Sequence, residues 1–162
     1  AAADRVWPWL VQMGQGRGGF YSYELLENLV GCNIHNADQI IPEFQHLEVG
    51  DKVAMHPTNG SPYVTAAIKS CRTLVLQLRV DTQTGKTFGL ADPMPDQYHK
   101  GSWVFVLEEL DEATTRLISR SRNEISTGFG TRLFYGFIGL VSNIMDRKML
   151  LSIKQRVEAA PK

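Results

Sequence analysis

The run Ser102-Trp103-Val104-Phe105-Val106-Leu107-Glu108-Glu109-Leu110-Asp111-Glu112-Ala113-Thr114-Thr115-Arg116-Leu117-Ile118-Ser119-Arg120-Ser121-Arg122 reads as two strands joined by a turn. In 102–109, Trp103, Phe105 and Leu107 alternate with Ser102, Val104, Val106 and Glu108, so both faces meet apolar surroundings at the centre, as in an inner strand. Asp111-Glu112 supplies the turn. In 114–123, Leu117, Ser119 and Ser121 alternate with Arg116, Ile118, Arg120 and Arg122, which makes one face strongly cationic. That face has two readings. It is solvated sheet surface pairing across strands with Glu108, or it faces a cavity where a forked guanidinium binds a carboxylate or enolate. Pleat phase decides between them.

The two-residue period extends back to Leu47, with turns at Gly50-Asp51, Asn59-Gly60 and Thr84-Gly85. Strands are expected near 52–56, 63–69, 73–80 and 86–90. Short turns without a second crossover helix describe an antiparallel meander with segregated helices, an α+β fold. After the strands, 130–158 reads as a long helix. Phe134, Ile138, Val141, Met145, Met149 and Ile153 recur every three or four residues, flanked by Phe137, Leu140, Ile144 and Leu151. So wide a stripe is expected to lie across the sheet, each side chain gaining roughly 1.5–3 kcal/mol on burial. Gly136 and Gly139 would admit the sheet, a partner helix or a ligand at close range. Two short helices precede the strands. The first is capped by Asp4, runs through Gln12 and buries Val6, Trp7, Leu10 and Val11; the second is capped by Ser22, with Leu25, Leu26, Leu29 and Val30 on one side and Gly31 as its stop.

Composition bounds the function. With 162 residues, 14 Gly and 7 Pro, collagenous and low-complexity classes are excluded, and one domain is the expectation at this length. The 17 basic and 17 acidic residues cancel, against the basic face a dedicated nucleic-acid binder needs. The balance is uneven along the chain: 20–60 carries six acids and one base, 131–162 six bases and two acids. Cys32 and Cys71 lack a CxxC partner or companion His and read as buried thiols in a reducing cytoplasm. No basic n-region opens the chain, and Leu133–Met145 falls short of a membrane span. Gly14-Gln15-Gly16-Arg17-Gly18-Gly19 satisfies GxGxxG before a helix, but the fingerprint requires a βαβ unit that the meander does not offer.

Longer motifs carry a resemblance. Val6-Trp7-Pro8-Trp9-Leu10-Val11-Gln12-Met13-Gly14-Gln15-Gly16-Arg17-Gly18-Gly19-Phe20-Tyr21-Ser22-Tyr23, then Leu26-Glu27-Asn28, Ile34-His35-Asn36-Ala37, Gly50-Asp51, Ser102 to Leu107, Thr115 to Arg120 and Met145-Asp146-Arg147-Lys148-Met149-Leu150 resemble a bacterial group of the SRPBCC superfamily, which is START-related and polyketide cyclase/dehydrase-like. The resemblance covers nearly the whole chain. It implies a helix-grip fold, in which a curved antiparallel sheet wraps a long carboxy-terminal helix, two short helices close one end, and a cavity between helix and sheet holds an apolar ligand. That pattern begins with a strand, whereas Ala1-Ala2-Ala3 already adjoins the first helix, so residues 1–162 are expected to form one such domain short of its first strand.

The implied function is binding of a small, mostly apolar or amphipathic molecule. Trp103, Phe105, Phe137, Leu140 and Ile144 would form the wall, with Tyr21, Tyr23, His35 or Arg120 selecting a polar group. No cofactor or metal is expected, since His35 and Asp38 alone are too few ligands; Asn36 reads as a turn cap with Gln39 three residues on. No nucleophile stands beside a base, although Glu27, Glu43, Asp38 and the histidines could move protons. The competing reading is an enzyme that cyclises or dehydrates a poly-oxo substrate. A cavity Asp, Glu or His of perturbed pKa opposite an Arg or Tyr would favour it. A third reading is a homo-oligomer or peripheral membrane module using the exposed side of 133–145.

Overall fold

The computed structural model describes residues 1–58, 60–89, 91–126 and 129–159, the stretch 129–138 by its backbone alone. Its elements are α1 (Ala3–Val11), α2 (Glu24–Leu29), a 3-10 turn (Pro42–Phe44), β1 (Lys52–Val53), β2 (Tyr63–Lys69), β3 (Thr73–Asp81), β4 (Tyr98–Asp111), β5 (Thr114–Ile125) and α3 (Phe129–Ala159). The fold is α+β: a curved, five-stranded antiparallel sheet in the order β1-β2-β3-β4-β5, short amino-terminal helices and a long carboxy-terminal one. The expected strand at 86–90 is a single bridge between Val80 and Thr87, and that at 52–56 shrinks to two residues. Leu90 and Asn59 lie outside the described residues.

Register settles the pleat phase. Trp103 pairs with Ser121, Phe105 with Ser119 and Leu107 with Leu117, and this face carries the core. Ser102 pairs with Arg122, Val104 with Arg120 and Glu108 with Arg116, so the arginines occupy the opposite face, where Arg116 meets Glu108 at 3.0 Å.

The core is densest where α1 and the carboxy-terminal half of α3 meet the sheet. Val6, Trp7, Trp9, Leu10 and Val11 pack with Leu74, Leu76, Phe105, Met149, Ile153 and Val157. Several polar groups at this end are tied. Arg156 donates from Nε to the Ala37 carbonyl and pairs with Asp38, both at 2.9 Å, its guanidinium 5.3 Å from the Tyr21 ring. The glycine loop closes on itself through reciprocal Gly14–Gly19 backbone bonds, and Arg17 turns inward to the carbonyls of Val11 (3.1 Å) and Phe44 (2.8 Å). Its cation is spent on protein carbonyls, and α1, a helix, stands where a dinucleotide fold needs a strand.

Several local expectations change. Ala2, not Asp4, occupies the α1 N-cap position, and Asp4 sits in the first turn, where a carboxylate complements the helix dipole. Tyr23 precedes α2; the Ser22 hydroxyl instead donates to the Met145 carbonyl at 3.2 Å, fastening this segment to α3. Asn36 does not cap a turn with Gln39. Its Oδ1 accepts from the amides of Phe20 (3.1 Å) and Tyr21 (2.6 Å), satisfying a backbone that Tyr21 bends to φ 56°. Cys32 and Cys71 are free and only half-buried. The apolar stripe of α3 is also unequal along its length: Met149, Ile153 and Val157 are buried, while Leu140, Ile144 and Leu151 are exposed. The side chains of Phe134, Phe137 and Ile138 lie outside the described residues.

Candidate functional site

A cavity of about 490 Å³ opens between the sheet and the middle of α3, within the range of small-molecule sites. Strand alternation aims Tyr63 of β2, His99 and Trp103 of β4, and Ser121, Asn123 and Ile125 of β5 into it. Helical spacing brings Gly139, Ser142, Asn143, Met145, Asp146 and Met149 of α3 to its other side, and Phe20, Ser22, Glu27 and Met55 complete the lining. A side chain at Gly101 would start 3.0 Å from Asn123 Oδ1 and 3.2 Å from the Tyr63 hydroxyl, so the glycine leaves room for both. Among the described residues, Gly139 has nothing within 4 Å of where a Cβ would stand, and it lines the cavity.

The apolar wall is aromatic. The Trp103 ring lies 4.9 Å from Phe105, 6.0 Å from Phe20 and 6.3 Å from Tyr63, and its Nε1 donates to Ser119 Oγ at 3.0 Å. The polar chemistry is acidic. In α2 the usual amphipathic arrangement is inverted: Leu25 and Leu29 are 75% and 74% exposed, whereas Glu27 is 6% exposed. Burial, reinforced by nearby Glu24, pushes the Glu27 carboxyl up to about 7, and its Oε2 has no hydrogen-bond partner among the described residues. Burial alone pushes Asp146 up to about 6. The Tyr63 phenol is raised by burial and then by the Asp146 charge, which keeps it a neutral donor beside that carboxyl. His99 Nε2 lies 2.9 Å from Asn123 Oδ1.

The residues expected from sequence are divided by this geometry. Trp103 lines the cavity, and Phe105 lies against it in the core. Tyr21 is buried under Arg156 and Trp9, where burial pushes its phenol up to about 12, away from the lining. Tyr23 is exposed with Lys148 over its ring, and His35 is exposed and paired with Glu24 at 3.2 Å. Arg120 occupies the far face of the sheet, Leu140 and Ile144 point to solvent, and the Phe137 side chain lies outside the described residues. The principal groups that sequence reading missed are Asp146 and Tyr63. Asp146 had a signal, an acid set between Met145 and Met149 on the apolar stripe; Tyr63, at the start of a strand, had none.

Among the described residues no group of three or more His, Cys, Asp or Glu is placed to hold a metal ion, and no helix is long and apolar enough to cross a membrane. Comparison with protein-family models, curated proteins and solved structures finds no match for this chain.

Proposed function

We propose that the chain is a helix-grip domain of the SRPBCC type that its motifs resemble, and that it binds a small, mostly apolar molecule between α3 and the sheet. The observation that carries this reading is the cavity itself, walled by Phe20, Tyr63 and Trp103 on one side and Met145 and Met149 on the other. Burying an apolar body against these walls supplies affinity, and the few polar groups orient it. Native mass spectrometry of freshly purified protein tests the proposal. A non-covalent small molecule is expected on the native chain and absent from Ser121→Trp, whose indole would occupy the cavity. A wild-type chain that carries no such species and takes up no added apolar compound would defeat it.

One observation favours acid–base chemistry as a second reading. Asp146, raised to about 6, and Glu27, raised to about 7, share the cavity with the Tyr63 hydroxyl, so near neutral pH one carboxylate could take the proton from a carbon beside a carbonyl while the other, protonated, gives its proton to the departing β-hydroxyl, released as water. Dehydration of an added β-hydroxyketone, lost in Asp146→Asn, would favour this reading over simple carriage.

A further inference from the structure

We infer that the molecule held in this cavity is an amphipathic organic cation, an alkyl or aryl body carrying an ammonium group; the inference rests on the ligand-binding reading above. Three features converge on it. Glu27 from α2 and Asp146 from α3 enter one cavity, and neither forms an ion pair among the described residues. Glu27 is more than nine-tenths buried, with Oε2 unpartnered among the described residues, so its acceptor capacity is open to a ligand in the cavity. The same cavity is walled by three aromatic rings of three separate segments, with Trp103 tilted between Phe20 and Tyr63, and π faces attract an ammonium within about 6 Å of a ring centroid.

Charge complementarity points the same way. Among the described residues no Lys or Arg lines the cavity, and the cations of β5 and β4 lie on the other face of the sheet. An anionic ligand would meet two carboxyls and, among the described residues, no Lys or Arg. A neutral ligand would accept hydrogen bonds from them while protonated. A cation alone engages them ionised and uses the aromatic faces as well.

The pH response follows. The groups facing the two carboxyls are Glu24 beside Glu27, Cys32 at the end of α2, Tyr63 on β2 and His99 on β4. Binding a permanent cation favours the ionised carboxylates, so affinity rises from pH 5 to pH 8 and binding at pH 6 releases protons. A protonated His99 would repel the same cation, which makes His99→Gln the control: it keeps the dependence if the carboxyls cause it.

Isothermal titration calorimetry with decyltrimethylammonium, decanol and decanoate, all below micellar concentration, tests the inference. At pH 8 decyltrimethylammonium is expected to bind about tenfold tighter than decanol, with decanoate weakest. The preference should shrink to less than about threefold at pH 5 and in Glu27→Gln/Asp146→Asn, and binding should vanish in Ser121→Trp. Decanol or decanoate binding as tightly as the cation, or a cation preference unchanged by pH and by the double variant, overturns the inference and leaves the apolar-ligand reading standing. Failure of all three compounds to bind overturns both. The comparison among ligands on the unaltered chain holds even where a variant fails to fold.

Discussion

The two halves of α3 meet different surroundings. From Met149 to Val157 the helix packs on α1 and the sheet; Ile153 is 1% exposed, and Arg156 ties the helix to Ala37 and Asp38. From Gly139 to Asp146 the helix borders a cavity; Ile144 is 54% exposed, and Asp146 lines the cavity without an ion pair among the described residues. One element thus serves two purposes. Stability comes from the end where apolar side chains interlock. At the other end two desolvated carboxyls, Glu27 and Asp146, line a cavity where a ligand can satisfy them.

The largest effect expected from this contrast is at the packed end. Ile153→Ala removes buried methyl groups from a close-packed junction and should cost about 2–5 kcal/mol of unfolding free energy, read from the urea midpoint. A loss under about 1 kcal/mol would mean that the carboxy-terminal half is no better packed than the rest and would erase the distinction.

The cavity end should respond in the opposite direction. Glu27 is raised from its ordinary 4.5 to about 7 in the folded chain, so between those values the native state holds more protons than the unfolded state. Unfolding free energy therefore falls as pH rises across that window, by roughly 2–3 kcal/mol. Glu27→Gln should remove that fall and be more stable than the wild type at pH 8. Asp146, raised from 3.8 to about 6, acts with the same sign in a lower window, so the variant should retain a shallower decline up to pH 6. Urea midpoints measured from pH 4 to pH 8 check both. A wild-type stability that climbs through this range would show the carboxyls to be stabilised, not stranded.

Sequence reading recovers much of the packed end and little of the cavity, for a physical reason. Strand alternation reports burial directly, so 63–69 matches β2 in full, 73–80 differs from β3 by one residue, and the Trp103, Phe105 and Leu107 face is legible residue by residue. The arginine face needed register, which depends on a partner strand and not on local pattern. Asn36 failed for a similar reason: its partners Phe20 and Tyr21 are fifteen and more residues away, beyond any capping motif. At α2 the periodicity misled outright. Leucines on one helical side ordinarily mark the packed face, yet the segment is anchored through Ser22 and turned so that Glu27 is buried and the leucines are not. A pattern rule that rewards apolar burial cannot find a site whose defining groups are buried acids.

The smallest expected effect is the most discriminating, because it uses the same substitution on the same helix. Ile144→Ala, nine residues before Ile153, removes side-chain surface that water already reaches, and alanine has the higher helix propensity. The change in unfolding free energy should lie within about 0.5 kcal/mol of zero. Leu29→Ser on α2 should behave alike. If Ile144→Ala instead costs as much as Ile153→Ala, the amino-terminal half of α3 is packed in solution and the cavity beneath it is closed. If it costs nothing to stability but weakens affinity for a decyl chain, the exposed isoleucine touches the bound ligand at the cavity mouth. Measuring urea midpoint and ligand affinity on the same preparation separates those outcomes, since the first reads the packing of the helix and the second its contact with the bound chain.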